Sequence, residues 1–274
     1  MPLCLVAFKN KMSKILIILF TFLFQIETQA QFEKIAEINF AGDFFCTDNL
    51  GFVYTVDGET LTKYSSKGEK IQSYSNSKFG KISSIDTNNP LQILVFYKDF
   101  NQIILLDNTL SQIGNSISLD ELNVESAEVV CSASNAGFWV FNSINSQLNY
   151  FDKNLKLVHK GIDIRPFNKT ENTPNFILER NNLVYLNMNG NEIFVFDSFG
   201  IYKRTISLKI KDSFQVFDSK IYYFDNQNLL CYSADLHQTD TLNIPQNTNI
   251  NAVKIELNQY YILENGKICI YFKN

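Results

Sequence analysis

The sequence has 274 residues, with 24 lysines and arginines against 28 aspartates and glutamates, and 45% of its residues are hydrophobic. The net charge is −4 at pH 7, and the chain has no run of basic residues. This argues against nucleic-acid binding, because phosphates are bound by clustered lysines and arginines. The length suits a single all-β domain, and no linker-like segment divides the chain.

The first thirty residues are typical of an export signal. Three lysines precede the apolar run 15–24, and Ala30 supplies the small residue of a cleavage site. This run is much shorter than a membrane-spanning helix, which needs about 20 residues. We therefore predict a signal peptide over residues 1–30, a protein that is periplasmic or extracellular, and no membrane span after cleavage. The sequence leaves open whether translation starts at Met1 or Met12.

Residues 48–71 carry the clearest local pattern of the chain. Phe52–Val56 are almost all β-branched or aromatic, Asp57–Glu59 have the composition of a turn, and Leu61–Tyr64 alternate apolar with polar side chains. Ser65–Gly68 then indicates a second turn before another strand. Such a piece cannot bury its faces alone, so it must stack on similar pieces.

Five further segments repeat this order of strands and turns. Equivalent third-strand positions are occupied by Tyr64, Leu106, Phe151, Phe196, Tyr232 and Tyr271. Successive positions lie 36 to 45 residues apart. This is close to the blade spacing of common propellers, about 40 to 50 residues. The sequence therefore predicts an all-β fold, a six-bladed β-propeller over residues 31–274.

The N-terminal strand is predicted to close the ring. Residues 33–40 resemble the outer strand of the first copy, which starts after Gly68, and the sixth copy stops after its third strand. Adding the N-terminal strand to the sixth copy would remove two open sheet edges. The predicted innermost strands are Phe44–Thr47, Ile82–Asp86, Glu128–Ser132, Phe176–Arg180, Phe214–Phe217 and Val253–Leu257.

The first copy also carries a motif, made of Asp48, Gly51, Val53–Asp57, Leu61–Tyr64 and Gly68. This pattern resembles an NHL-type repeat of the six-bladed propellers. With its export signal and its Asn- and Phe-rich blades, the chain is also similar to exported propellers of Bacteroidetes-type bacteria. The resemblance implies the fold and no particular activity.

Acidic residues recur at two sets of turns. Asp107, Asp152 and Asp197 follow the third strand in three copies, and we interpret them as turn formers because aspartate accepts hydrogen bonds from backbone amides there. The other turns carry the acidic residues Asp57, Asp225 and Glu264. These three are metal ligands only under the alternative of a lactonase-like propeller with a cation at the channel mouth.

Histidine, tryptophan and cysteine point to structure rather than to catalysis. The two histidines, His159 and His237, fall in predicted outer strands, which disfavours a zinc site or a histidine relay. Trp139 lies within a strand and is expected between blades. Neighbouring sheets are about 10 Å apart whereas bonded cysteines need Cα atoms within about 7 Å, so free thiols are expected. These thiols belong to Cys46, Cys131, Cys231 and Cys269.

Two long connections, Ser118–Ser126 and Asp163–Asn175, should emerge on the same face as the turns between second and third strands. The residues predicted to bind a partner on that face are Phe100, Arg165, Phe167 and Lys169. The first hypothesis is a monomeric, non-catalytic scaffold without a cofactor that binds a protein or another ligand in the cell envelope. The alternatives are a divalent-metal-dependent, lactonase-like hydrolase and a binder of carbohydrate or another envelope ligand.

Overall fold

The computed structural model describes residues 32–168, 172–245 and 249–274, so the predicted signal peptide and Lys169 lie outside the described part. The first strand is β1 (Phe32–Asn39). Blade 1 consists of β2 (Phe44–Thr47), β3 (Val53–Asp57), β4 (Thr60–Tyr64) and β5 (Lys70–Ser75). Blade 2 consists of β6 (Ser84–Asp86), β7 (Ile93–Tyr97), β8 (Gln102–Leu106) and β9 (Ile117–Ser118). Blade 3 consists of β10 (Ala127–Ser132), β11 (Phe138–Asn142), β12 (Gln147–Phe151) and β13 (Leu157–Asp163).

Blade 4 consists of β14 (Phe176–Arg180), β15 (Leu183–Asn187), β16 (Ile193–Asp197) and β17 (Tyr202–Ile206). Blade 5 consists of β18 (Gln215–Phe217), β19 (Lys220–Asp225), β20 (Asn228–Ser233) and β21 (Gln238–Leu242). Blade 6 contains β22 (Ile250–Glu256), β23 (Gln259–Glu264) and β24 (Lys267–Lys273). Two short 3-10 helices, Ser77–Phe79 and Lys98–Phe100, lie in connections. Within the described residues, no helix is long and apolar enough to span a bilayer.

The predicted closure of the ring is confirmed. The fourth strand of blade 6 is β1, which pairs with β24 in the order β1-β24-β23-β22. Phe32 lies opposite Lys273, and Asn39 lies opposite Lys267. An ion pair from Lys267 Nζ to Glu37 Oε1, 2.7 Å long, joins residues 230 positions apart. The six four-stranded sheets confirm the six-bladed propeller, and the predicted inner strands match to within a few residues.

Each pair of neighbouring blades shares its own hydrophobic cluster. Tyr54 and Tyr97 belong to the cluster between blades 1 and 2, and Phe45 and Tyr261 belong to the one between blades 6 and 1. Trp139 packs between blades 3 and 4 as predicted. Because each fully buried aromatic or aliphatic side chain contributes about 1.5–3 kcal/mol, these six interfaces stabilise the ring.

The motif of the first copy has a local structural explanation. The Asp48 carboxylate accepts hydrogen bonds from the backbone amides of Leu50 and Phe52 and from the Tyr54 hydroxyl. Gly51 has a φ of +83°, a backbone conformation that glycine adopts without strain. Its carbonyl oxygen accepts a hydrogen bond from Tyr261 of blade 6. The motif thus builds a turn that docks on the neighbouring blade.

The structure confirms the predictions for the cysteines and for one of the two histidines. All four described cysteines are free, as expected. His159 lies in the outer strand β13 and is half-buried. His237 was predicted to lie in an outer strand, which is wrong. It ends the turn before β21 with a φ of +52°, a conformation that a strand does not contain.

Candidate functional site

The surface residues predicted to bind a partner lie on different parts of the connection face. This face carries the turns between second and third strands and the connections between blades. Phe100 is 52% exposed and packs against Phe79. Arg165 forms an exposed ion pair with Asp163. Phe167 stacks on Tyr202 at 5.1 Å.

The three carboxylates of the metal alternative lie at the ends of second strands. Asp57 is exposed, the Asp225 carboxylate accepts a hydrogen bond from the amide of Asn226, and Glu264 accepts one from Tyr271. No group of three metal-ligating side chains exists within the described residues. In blade 4 the equivalent strand end is Asn187, whose amide donates to the carbonyl oxygens of the following connection. The position thus has a structural role in at least one blade.

The aspartates after the third strands form turns as the sequence predicts. The Asp152 carboxylate accepts from the backbone amides of Asn154 and Lys156, and the same pattern recurs at Asp107 and Asp197. These hydrogen bonds stabilise the ionised carboxylate. The hydroxyl of Thr109, which also donates to Asp107, and the backbone amide of Lys156 contribute most, and the pKa values of Asp107 and Asp152 lie below the ordinary value.

A further polar feature outside these turns is the central channel. It has a volume of about 520 Å³ and is lined by residues from the innermost strand of every blade. Its charged side chains are Asp43, Asp86, Arg180, Asp212, Lys254 and Glu256. None of the predicted binding residues Phe100, Arg165 and Phe167 contributes to this lining. The channel is therefore a different candidate site from the predicted one.

Two cations in the channel form no ion pair within residues 32–168, 172–245 and 249–274. Lys254 Nζ donates a hydrogen bond of 2.6 Å to the hydroxyl of Ser213. Burial lowers the pKa of Lys254 because the surrounding protein disfavours its charged form. Arg180 is half-buried at the end of β14, and its guanidinium makes no hydrogen bond within the part of the chain that the structure describes.

Two carboxylates of the channel connect neighbouring blades. Glu256 accepts hydrogen bonds from Thr47 of blade 1 and Gln215 of blade 5. Burial raises the pKa of Glu256 to about 7, although the Thr47 hydroxyl and the Arg180 charge act against this shift. Asp86 accepts a hydrogen bond from the backbone amide of Ser132 in blade 3. Burial raises the pKa of Asp86 as well. Both carboxylates thus hold the inner strands together across blade boundaries.

Cys46 also lines the channel, as the one cysteine of the four that is half-buried. Burial raises the pKa of its thiol to about 12, although the Lys254 charge acts against this shift. Because the thiolate is the nucleophilic form, a thiol with such a pKa is unreactive at neutral pH. Cys46 is therefore a packing residue of the channel wall.

A second cavity lies at the end of the channel opposite to the connection face. This end carries the turns between first and second strands. We call it the hairpin-face mouth. It has a volume of about 720 Å³ and is lined by residues of blades 2, 3, 4 and 5. Its polar side chains include Asn88, Asn89, Ser134, Asn181, Asn182 and Asp218. Arg180 lines both this mouth and the channel.

A buried carboxylate fixes one wall of the mouth. Glu179 is 8% exposed and accepts the indole N–H of Trp139 at 2.6 Å. It also accepts the backbone N–H and the hydroxyl of Ser134. These bonds tie the first turn of blade 3 to the innermost strand of blade 4. The first turn of blade 3 is therefore held at the wall of the mouth by blade 4.

Sequence reasoning located the strands of this site but missed its charged side chains. The available signal was the presence of charged residues within predicted innermost strands, as at Glu179, Arg180, Lys254 and Glu256. A charged residue in such a strand faces either the channel or a partner on the next blade, because water is otherwise absent there. The signal predicts the location of these side chains and not their partners.

No known protein-family model and no curated protein matches the chain. Solved structures do match. A streptogramin B lyase is 13% identical over 84% of this chain and 78% of its own, with a TM-score of 0.58. A catalytically inactive histidine-to-alanine variant of virginiamycin B lyase from Staphylococcus aureus, with quinupristin, is 11% identical over 89% of this chain and all of its own, with a TM-score of 0.60.

The Pan2 WD40 domain of Neurospora crassa is similar as well, at 8% identity over 88% of this chain and 95% of that domain, with a TM-score of 0.57. The matches therefore include both lyases and a WD40 domain. At such identities the similarity shows the β-propeller fold alone, and fold does not imply function.

Proposed function

We propose that this protein is an exported, non-catalytic binding scaffold of the cell envelope, and that its ligand binds in the central channel. The observation that carries the proposal is the pair Arg180 and Lys254, two channel cations without an ion pair in the described part of the chain. A volume of about 520 Å³ is also within the usual range of ligand sites, about 300–1,000 Å³.

Export is supported by the N-terminal sequence. The lysines, the apolar run 15–24 and Ala30 have the order of a secretory signal peptide. The NHL-like motif of blade 1 and the resemblance to exported propellers of Bacteroidetes-type bacteria agree with this proposal. We expect cell fractionation to recover the protein outside the cytoplasm, with a mature N-terminus at Gln31. A cytoplasmic protein that retains residues 1–30 would contradict export.

A binding role fits the side chains better than catalysis does. One of the similar lyases is a catalytically inactive variant in which a histidine is replaced by alanine. The two histidines of this chain, by contrast, lie in the outer strand β13 and in the turn before β21. The channel carboxylates Asp86 and Glu256 already accept hydrogen bonds from neighbouring blades.

The connection face is a second candidate surface, suited to a protein partner. Phe100 is 52% exposed there, and exposed aromatic side chains are common anchors of protein interfaces. The predicted residues Arg165, Phe167 and Lys169 belong to the same proposal. A pull-down from the cell envelope with the Phe100→Ala variant as control tests it. Recovery of the same proteins by both forms would remove Phe100 from the interface.

A thermal-melt panel tests the channel, because a ligand that binds only the folded state raises the melting temperature. The panel contains amino acids, dicarboxylates, neutral sugars, sugar acids and divalent cations with a chelator control. We expect at least one organic compound to raise the melting temperature of the wild type but not of Ser84→Trp, which fills the channel. Ser73→Trp on the outer strand β5 is the matched control.

The panel also separates the alternatives. A shift with a divalent cation, reversed by chelator and lost in variants of Asp57, Asp225 and Glu264, would favour the hydrolase. If no compound distinguishes Ser84→Trp from Ser73→Trp, the channel is not the ligand site.

A further inference from the structure

The hairpin-face mouth combines Arg180, the carboxylates Glu179 and Asp218, and several neutral polar groups. Arg180 reaches the mouth from the end of β14, and its guanidinium has no hydrogen-bond partner in the described residues. A guanidinium presents donors in a planar fork that matches a carboxylate bidentately. The other arginines, Arg165 and Arg204, line neither the channel nor the mouth. Arg180 is therefore suited to bind an anionic group that enters this cavity.

The groups around Arg180 are mainly amides and hydroxyls. Asn181 and Asn182 form the two-residue turn between β14 and β15, with φ values of +52° and +60°. Their side-chain amides make no hydrogen bond within the described part of the chain. Amides both donate and accept hydrogen bonds, as the hydroxyl groups of a sugar do. A short turn of this kind fixes the backbone from which both exposed side chains project.

One apolar surface completes the mouth. Phe217 lines the cavity beside Arg180, and its ring packs edge-to-face on Tyr222 with the centroids 5.5 Å apart. A sugar ring has apolar C–H groups on its faces that pack on such an aromatic wall. The remaining apolar lining is small, with Ala133, Ala136 and Val216. A peptide partner usually needs larger apolar anchors.

We propose that the hairpin-face mouth binds an acidic sugar, with the sugar carboxylate on Arg180, the hydroxyl groups on Asn181 and Asn182, and the ring against Phe217. The proposal rests on the proposed binding function and extends it from the channel to this mouth, because Arg180 lines both cavities. Asp218 at the rim accepts hydrogen bonds from hydroxyl groups and repels ligands with several negative charges. A single carboxylate per sugar unit therefore fits the site better than a phosphate or an acidic peptide.

Isothermal titration calorimetry on the purified protein tests this assignment. The probes are galacturonic acid, its neutral counterpart galactose, and a pentaglutamate peptide. We expect the acidic sugar to bind at least ten times more tightly than the neutral one. Arg180→Gln should abolish this preference and retain the binding of the neutral sugar. Arg204→Gln on the outer strand β17 is the matched control and should bind as the wild type does.

Asn182→Gly removes one amide and keeps the positive φ that the turn requires, so it should weaken both sugars by at least threefold. Circular dichroism and the melting temperature without ligand confirm that each variant folds. The proposal is overturned if the acidic sugar binds no more tightly than the neutral one, if Arg180→Gln keeps the preference, or if pentaglutamate binds best. In each of these cases a channel-dependent shift in the thermal-melt panel would still support the binding function.

Discussion

Carboxylates lie both in the turns between third and fourth strands and in the channel wall. Their pKa values shift in opposite directions in the two regions. In the turns, Asp107 and Asp152 accept hydrogen bonds from nearby residues, and their pKa values fall below the ordinary range. In the channel, burial raises the pKa values of Asp86 and Glu256. The position of a carboxylate within the blade therefore decides whether ionisation favours or opposes folding.

The largest effect is expected where a buried carboxylate connects two blades. Glu179→Ala removes the acceptor of Trp139 and Ser134, which leaves the buried indole N–H of Trp139 without a partner and exposes the two Ser134 donors to water. We expect the free energy of unfolding to fall by about 3 kcal/mol, measured by urea denaturation. Glu179→Gln should cost less because its amide oxygen still accepts. A loss for Glu179→Ala below about 1 kcal/mol would show that this carboxylate does not hold the blades together.

Glu256 should make stability depend on pH in the direction opposite to the turn aspartates. Its pKa is about 7 in the folded protein and 4.5 ordinarily, so the folded state binds this proton more tightly than the unfolded state. The free energy of unfolding should therefore fall as pH rises from 4.5 to 7, by up to about 3 kcal/mol from this group.

Urea denaturation of wild type and Glu256→Gln across this pH range measures that contribution. The difference in unfolding free energy between the two proteins isolates Glu256 from Asp86, which acts with the same sign. Glu59→Gln, an exposed control, should leave the pH profile unchanged. Parallel profiles for wild type and Glu256→Gln would contradict the expected effect.

A smaller effect is expected in the turns. Asp197→Ala removes the acceptor for the backbone amides of Phe199 and Ile201, which face water once the carboxylate is gone. We expect a loss of about 1 kcal/mol in the free energy of unfolding. Asp197→Asn keeps an acceptor and should lose less. Equal losses for alanine and asparagine would indicate that these hydrogen bonds do not stabilise the turn.

The smallest expected effect is the titration of a turn carboxylate. Asp152 should show a pKa below its ordinary value in a carbon-detected NMR titration, because backbone amides of Lys156 and Asn154 stabilise its charge. Its contribution to stability is complete above the unfolded pKa and is lost as pH falls through the folded pKa. A pKa at or above the ordinary value would remove the contrast with Glu256.

The same contrast explains what the sequence could predict. Blade spacing, strand patterns and ring closure by residues 33–40 depend on local repetition, and the structure confirms them with β1 at Phe32–Asn39. The turn roles of Asp107, Asp152 and Asp197 depend on backbone amides two and four residues away. These roles could therefore be predicted from the sequence as well.

The candidate site could not be predicted in the same way. The shifted pKa of Glu256 and its hydrogen bonds depend on side chains from other blades, far along the sequence. On the connection face, Phe167 covers Tyr202 and Arg165 pairs with Asp163, contacts that spacing does not reveal. Local patterns thus predicted the framework, while the chemistry of the channel required the assembled ring.

The pairing of β1 with β24 also constrains the order of folding. The outer edge of blade 6 is completed by a strand whose partner is synthesised last, 230 residues after it at the Glu37–Lys267 contact. Contacts between such distant parts of a chain form slowly, because the loop entropy is lost before the contact is gained. Until β24 has been synthesised, β1 has no edge to join, so the ring stays open.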